Sequence, residues 1–209
     1  MSDRRLVRIA LLFLAMVLTA FGSCHRRQET AEVASTVLSG AFTYDTGYFT
    51  ELRESKTAEF PVQLVSERYV LGIKKLSGIG ELLQKEPESE FFKYFSGLVV
   101  RNLRENDKLE LVEQETVEDF TVQNRPGVVQ FLHMRLPENR STVPAYIPAD
   151  ADEVYLYYFH YFFPPDYWYF AAVARQRLSS DDIAYIVKFI DRMDFTWQPA
   201  ASEDGEAEP

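Results

Sequence analysis

Apolar positions fall in blocks whose spacing changes along the chain, and that spacing predicts the elements. An uncharged apolar run fills residues 9–21, and a polar stretch without aromatics follows over 25–39. Residues 40–52 hold a short aromatic run, a turn at Asp45-Thr46-Gly47, and then Tyr48 and Phe49, the pattern of a hairpin. Val62, Leu64, Val65, Tyr69, Val70, Leu71 and Ile73 predict one or two strands over 60–76. Residues 86–104 read as a helix: Pro87 suits its first turn, and Phe91, Phe92, Phe95, Leu98, Val99 and Leu103 recur on one face. Gly97 weakens it by roughly 1 kcal/mol relative to Ala.

Loose alternation predicts a strand over 108–123, a turn at Asn124-Arg125-Pro126-Gly127, and a strand over 128–136. In that second strand Val128, Leu132, Met134 and Leu136 share one face, while Val129, Phe131, His133 and Arg135 share the other. Residues 137–152 form a long polar connection with three prolines. Two strands, 153–163 and 166–176, then meet at Pro164-Pro165. The last element is a helix opened by a capping box, Ser179 with Asp182, and carrying an Ile183, Ile186, Val187, Ile190, Met193 stripe.

The hairpin at 155–170 is the local anomaly, YLYYFHYFFPPDYWYF. If Phe162 pairs with Tyr167, then Tyr155, Tyr157, Phe159, Tyr161 and Phe163 share a face with Trp168, Phe170, Ala172 and Ala174. Leu156, Tyr158, His160 and Phe162 share the other with Tyr167, Tyr169, Ala171 and Val173. Both faces are apolar. One reading is a central hairpin covered on both sides. The other exposes Tyr155, Tyr157, Phe159, Tyr161, Trp168 and Phe170 as a binding surface for a protein, an acyl chain or a sugar.

Short, hairpin-linked strands with few helices predict an α+β fold, an antiparallel sheet with a C-terminal helix and one further helix packed on it. A chain of 209 residues, 46% hydrophobic, can bury one sizeable core. A net charge of −10 argues against nucleic acid, and one cysteine excludes a disulfide framework and a cysteine-based zinc site.

The start of the chain changes that picture. Arg4, Arg5 and Arg8 precede the apolar run, which is too short to span a bilayer and suits an export signal. It ends at Phe21-Gly22-Ser23-Cys24, and Cys24 is the single cysteine. This segment resembles the signals of bacterial lipoproteins. The resemblance implies cleavage between Ser23 and Cys24 and a diacylglycerol on the Cys24 sulfur; Phe21 stands where an aliphatic residue is usual. Ordinary signal cleavage, an uncleaved anchor and a buried helix are the alternatives. His25 after the cysteine, where Asp would imply inner-membrane retention, leans towards the outer membrane. The division that follows is a signal peptide over 1–23, a tether over 24–39, one domain over 40–197, and a disordered acidic tail over 198–209. Removing 1–23 takes away three Arg and one Asp, so the charge becomes −12.

No zinc-protease, nucleophile-elbow, phosphate-loop or dinucleotide motif occurs. His133 and His160 would make a metal or acid–base site only as neighbours. Asp150, Asp152 and Glu153 form a carboxylate cluster that reads as a solvated loop, and Asn139-Arg140-Ser141 fits a glycosylation sequon. The expectation is a lipid-anchored envelope protein without catalysis, cofactor, metal or nucleic acid, held to the membrane by lipid and binding a protein partner or serving envelope assembly. Two alternatives stand beside it: a carrier of a hydrophobic ligand behind the 155–170 hairpin, and a hydrolase using His133 or His160. The sheet followed by a long C-terminal helix loosely resembles PsbP/DcrB-like lipoproteins, an expectation of fold only.

Overall fold

The structure is a computed structural model that describes residues 29–77, 88–164 and 166–196. The strands are β1 (Thr30–Ser35), β2 (Gly40–Asp45), β3 (Glu51–Glu54), β4 (Val62–Val65) and β5 (Tyr69–Leu76). Helix α1 (Glu88–Glu105) precedes β6 (Glu110–Val122) and β7 (Arg125–Arg135). A 3₁₀ turn (Arg140–Thr142), β8 (Glu153–Phe163), β9 (Asp166–Ala174) and α2 (Ser180–Asp191) complete the order. Seven strands form one antiparallel sheet in the order β3-β4-β5-β9-β8-β7-β6, and β1 and β2 form a separate pair. This is the α+β arrangement expected. Among the described residues no helix is long and apolar enough to cross a membrane.

The aromatic hairpin takes the centre of the sheet because neither of its faces could be left to water. Phe162 pairs with Tyr167, the pairing under which the two faces sort as set out above. On one face, Tyr157, Phe159, Tyr161, Trp168 and Phe170 pack with Phe42 of β2 and Ile186, Phe189 and Ile190 of α2. On the other, Tyr158, Tyr167 and Tyr169 pack with Phe92 and Leu103 of α1 and Ile147 of the long connection. Three layers result: α1 with the 137–152 connection, the sheet, and α2 with the β1–β2 pair. Each large side chain fully buried here contributes roughly 1.5–3 kcal/mol.

Helix α2 begins as predicted. Ser179 Oγ accepts from Asp182 N at 3.2 Å, and the Asp182 carboxylate accepts from Ser179 N at 3.1 Å. At its other end, Gln123 Nε2 donates to the carbonyls of Asp191 and Met193 at 3.1 and 2.9 Å, satisfying groups that the helix cannot.

Three local expectations change. The turn at Asp45-Thr46-Gly47 forms, with Gly47 N donating to Asp45 Oδ1 at 2.8 Å, but β2 and β3 do not pair. β2 turns back on β1 and β3 pairs with β4, so the turn carries the chain from the small sheet to the large one. Residues 30–39 of the expected tether are therefore folded: Thr30–Ser35 is a strand, and Leu38 is buried. Val33, with its face against the core, was too sparse a signal for a six-residue strand. Finally, the β6–β7 turn sits at Gln123 and Asn124, both with positive φ (47° and 62°), ahead of the Pro-Gly pair. Gly127 instead lies within β7, where an added Cβ would stand 2.1 Å from Phe120 Cζ. It is the close approach of a ring, not a turn, that requires glycine there.

Candidate functional site

The sequence offered one face of the hairpin as a surface, and the structure makes it core. Trp168, Phe170, Phe159 and Tyr161 are 0% exposed, Tyr157 is 3% exposed, and Tyr155 is half-buried. Two of the tyrosine hydroxyls are used internally. Tyr161 donates to Val122 O at 3.0 Å, and Tyr157 Oη accepts from Leu178 N at 3.0 Å. α2 and the β1–β2 pair fill the space in which a ligand would have to lie. Cys24 and Ser23 lie outside the described residues, as does the acidic tail.

The histidines do not meet. His160 pairs across the sheet with Val128 and His133 with Tyr155, and their side chains lie on opposite faces. His133 stacks on Tyr155 at 4.4 Å, with Nε2 3.0 Å from Glu153 Oε2. The His133 contact, followed by Arg135, holds the Glu153 carboxyl below its ordinary range. His160 is buried with Nδ1 2.7 Å from the Tyr167 hydroxyl, and burial pushes its pKa down to about 3. It is therefore a neutral structural ring at physiological pH. The Asp150-x-Asp152-Glu153 carboxylates also separate: Asp150 pairs with Arg175, Asp152 with Arg140, and Glu153 with His133 and Arg135. No group of three or more His, Cys, Asp or Glu able to share a metal ion occurs among the described residues. Asn139 of the sequon accepts from Ser141 N at 3.0 Å and caps the 3₁₀ turn.

Two openings lined by the described residues bear on binding. The larger, about 410 Å³, lies where β9 leads into α2 and is lined by Arg68, Arg175, Arg177, Glu67 and Asp182. Its guanidiniums are already engaged. Arg68 Nη1 reaches both Asp182 oxygens at 3.0 and 2.9 Å, and Arg175 Nη2 reaches both Asp150 oxygens at 2.7 and 2.8 Å. Arg177 contacts Glu113 and Glu115 and lies over the Phe131 ring.

The smaller opening, about 180 Å³, lies on the opposite face beneath α1. Its wall is built from a missing side chain. Gly72 faces this side of β5, and without a Cβ it lets Phe60 lie on the sheet; a Cβ there would stand 2.5 Å from Phe60 Cγ. Phe60 then stacks on Tyr169 at 5.6 Å and meets Tyr146 edge-on at 5.0 Å. Tyr169 lies parallel to Tyr158, 5.2 Å between centroids and 8° between planes. The Tyr146 and Tyr158 hydroxyls are 3.4 Å apart. α1 closes the other side with Phe95, Val99 and Leu103, and it is tied to the sheet by Gln130 Nε2 donating to Ser96 O at 3.2 Å.

Loops bring Glu59 and Asp107 to this opening, and β5 brings Lys74. Burial raises the Glu59 carboxyl above its ordinary range, Lys74 pulls it back, and Asp107 adds to the rise. Burial alone raises Asp107. The three tyrosine hydroxyls are pushed well up, chiefly by burial, and stay protonated. The opening is thus a small one, bordered by rings that pack on one another and by two acids at its rim.

Sequence reasoning missed Glu59, Lys74, Asp107 and Tyr146. The available signal was the long connection holding Tyr146 between Pro144 and Pro148, since long structured loops tend to carry function.

No protein-family profile matches the chain, and no curated protein does. Among solved structures it is similar to the solution structure of cyanobacterial PsbP (CyanoP) from Synechocystis sp. PCC 6803. The identity is 11%, over 82% of this chain and 96% of that one, with a TM-score of 0.43.

Proposed function

We propose that this chain is a lipid-anchored, non-catalytic binding protein of the bacterial cell envelope, more suited to the outer than the inner membrane. The observation that carries the reading is Gly22-Ser23-Cys24 directly after a basic stretch and an apolar run of export length. Two acyl chains on one cysteine hold a protein to a bilayer far better than one, at ~0.8 kcal/mol per buried CH₂. The separation of His133 and His160 onto opposite faces supports binding over hydrolysis.

The fold refines how such an anchor would work. β1 begins at Thr30, so only residues 25–29 separate it from Cys24, a reach of at most ~20 Å at 3.3–3.6 Å per residue. A lipid on Cys24 would hold the β1–β2 layer beside the bilayer instead of standing the domain off on a stalk. Expression of wild type and Cys24→Ala with labelled fatty acid tests the reading. Label in wild-type protein, and loss of both label and membrane fractionation in the variant, is the expected result. Wild-type protein without label, with the variant still in the membrane fraction, would overturn it.

A further inference from the structure

We propose that the acidic segment 198–209 docks on the exposed face of α1, across Lys93, Tyr94, Gly97, Arg101 and Arg104. The contact is one of this chain with itself and stands whether or not Cys24 is acylated.

That face of α1 is a charge anomaly. The chain carries a net charge of −10, yet residues 91–104 hold three bases and no acid; Glu88 and Glu90 precede the run and Glu105 follows it. Lys93 and Tyr94 lie four and three positions before Gly97, and Arg101 and Arg104 four and seven after it, so helical periodicity gathers all five on one side. That side meets water: Lys93, Arg101 and Arg104 are exposed, and Tyr94 is 65% exposed. Six other arginines pair with carboxylates, while Arg101 and Arg104 have no such partner among the described residues. Gly97 adds a notch. A Cβ at Gly40, Gly72 or Gly127 would strike a ring, whereas one at Gly97 would meet nothing within 4 Å. No packing inside the molecule asks for that glycine, and it leaves bare backbone between Tyr94 and Arg101 against which an extended chain can lie.

The segment matches this face in charge and in reach. Residues 198–209 carry Glu203, Asp204, Glu206 and Glu208 and no base. Phe195 packs on Tyr161, Phe163 and Trp168, so the described chain reaches Thr196 at the β8–β9 turn end of the sheet, on the α2 side. α1 lies at the same end on the opposite side, with Phe92 and Phe95 against Tyr167, the strand neighbour of Trp168. Passing around the turn to the outer surface of α1 takes roughly 20–25 Å, a layer spacing of ~10 Å and the diameter of a helix. Residues 197–203 span up to ~23 Å and residues 197–208 up to ~40 Å, so every acid from Glu203 onward can arrive. α2 is closer to Thr196 but is the poorer site, because Asp181, Asp191 and Asp194 stand beside Lys188 and Arg192. Exposed ion pairs are individually weak, but a segment tethered this near is present at about millimolar effective concentration, which lets several weak pairs hold it.

The test is carbodiimide crosslinking of the full-length chain in dodecyl maltoside, which joins a lysine amine to a carboxylate without a spacer, read by mass spectrometry. Lys56, Lys93 and Lys188 are all exposed, and Lys188 lies on the helix nearest Thr196, so proximity alone favours it. Crosslinks from Glu203, Asp204, Glu206 or Glu208 are expected within one chain, at Lys93 at least threefold above Lys188 and Lys56. The variant Arg101→Glu/Arg104→Glu, which leaves Lys93 in place, should lower the Lys93 crosslink at least threefold without lowering that at Lys188. Both arginines are exposed, and an unchanged thermal midpoint establishes that the variant is folded. About 1 M sodium chloride, which screens charges beyond ~3 Å, should produce the same loss in the wild type with no substitution at all. Crosslinks spread evenly over the three lysines, a Lys93 crosslink that survives charge reversal or salt, or one that joins two chains overturns the proposal.

Discussion

Gly72 and Phe60 are fitted to one another: the glycine Cα forms the bed on which the phenylalanine ring lies, and a Cβ would stand 2.5 Å from the ring. Because Phe60 in turn supports Tyr169 and Tyr146, this one contact sets the wall of the cavity beneath α1. Ala at position 72 meets no backbone barrier in a strand, so the cost is steric. Gly72→Ala should lower stability by about 1–3 kcal/mol, the usual range for overpacking a filled site. The double variant Gly72→Ala/Phe60→Leu should cost less than the sum of its parts, since both changes act on one space. Urea unfolding of the four proteins checks this; strict additivity would show that the two residues do not constrain each other.

Asp182 ties the start of α2 to two other elements. Its carboxylate accepts from Ser179, from the Tyr48 hydroxyl at 2.9 Å and from Arg68. Burial pushes its pKa up, but hydrogen bonds from Ser179, then Tyr48 and Arg68, outweigh that and hold it below 3.8. Ser179→Ala should cost about 1 kcal/mol, the usual worth of an N-cap. Asp182→Asn should cost roughly 1–3 kcal/mol at neutral pH by weakening charged hydrogen bonds. A folded pKa below the unfolded one gives stability that is present above 3.8 and is lost as pH falls through the folded value. The gap between wild type and Asp182→Asn should thus stay level from pH 7 to 5 and close below about pH 4. A gap that widens on acidification would contradict the assignment.

How much of this could be read from the residues differs between frame and site. The sorting of residues to two faces within β8 and within β9, and the capping box, follow from alternation and spacing, which are local; the register between the two strands enters only as a condition. What covers each face does not follow from them, because both are equally apolar and parity has no sign. Tyr157 and Tyr158 are neighbours of one type, yet one donates its ring to the α2 side of the core and the other walls a cavity. Glu59 and Asp107 reach that cavity from loops on either side of α1, 48 positions apart in the chain, and only tertiary packing brings them together. β1 escaped because one Val in six residues does not distinguish a strand from a polar linker; pairing with the aromatic β2 supplies what its own sequence lacks.

His160 makes the last prediction, because its burial has a pH signature that the rest of the core does not share. Its Nδ1 meets the Tyr167 hydroxyl, its Nε2 is buried without a partner among the described residues, and desolvation lowers its pKa from 6.5 to about 3. The unfolded chain takes up a proton below pH 6.5 while the folded one does not until about pH 3. Stability is then complete above 6.5 and falls as pH drops between those values, at up to ~1.4 kcal/mol per unit. Between pH 7 and 5 the wild type should lose about 2 kcal/mol that His160→Gln, which cannot titrate there, keeps. The variant will be less stable at pH 7, having exchanged a packed ring for an amide, so the informative quantity is the change with pH and not the offset. Urea midpoints of both proteins across this range provide it. Parallel pH profiles would mean that the ring is protonated in the folded state, and that Phe95, Tyr167 and Tyr169 enclose a charge rather than a neutral imidazole.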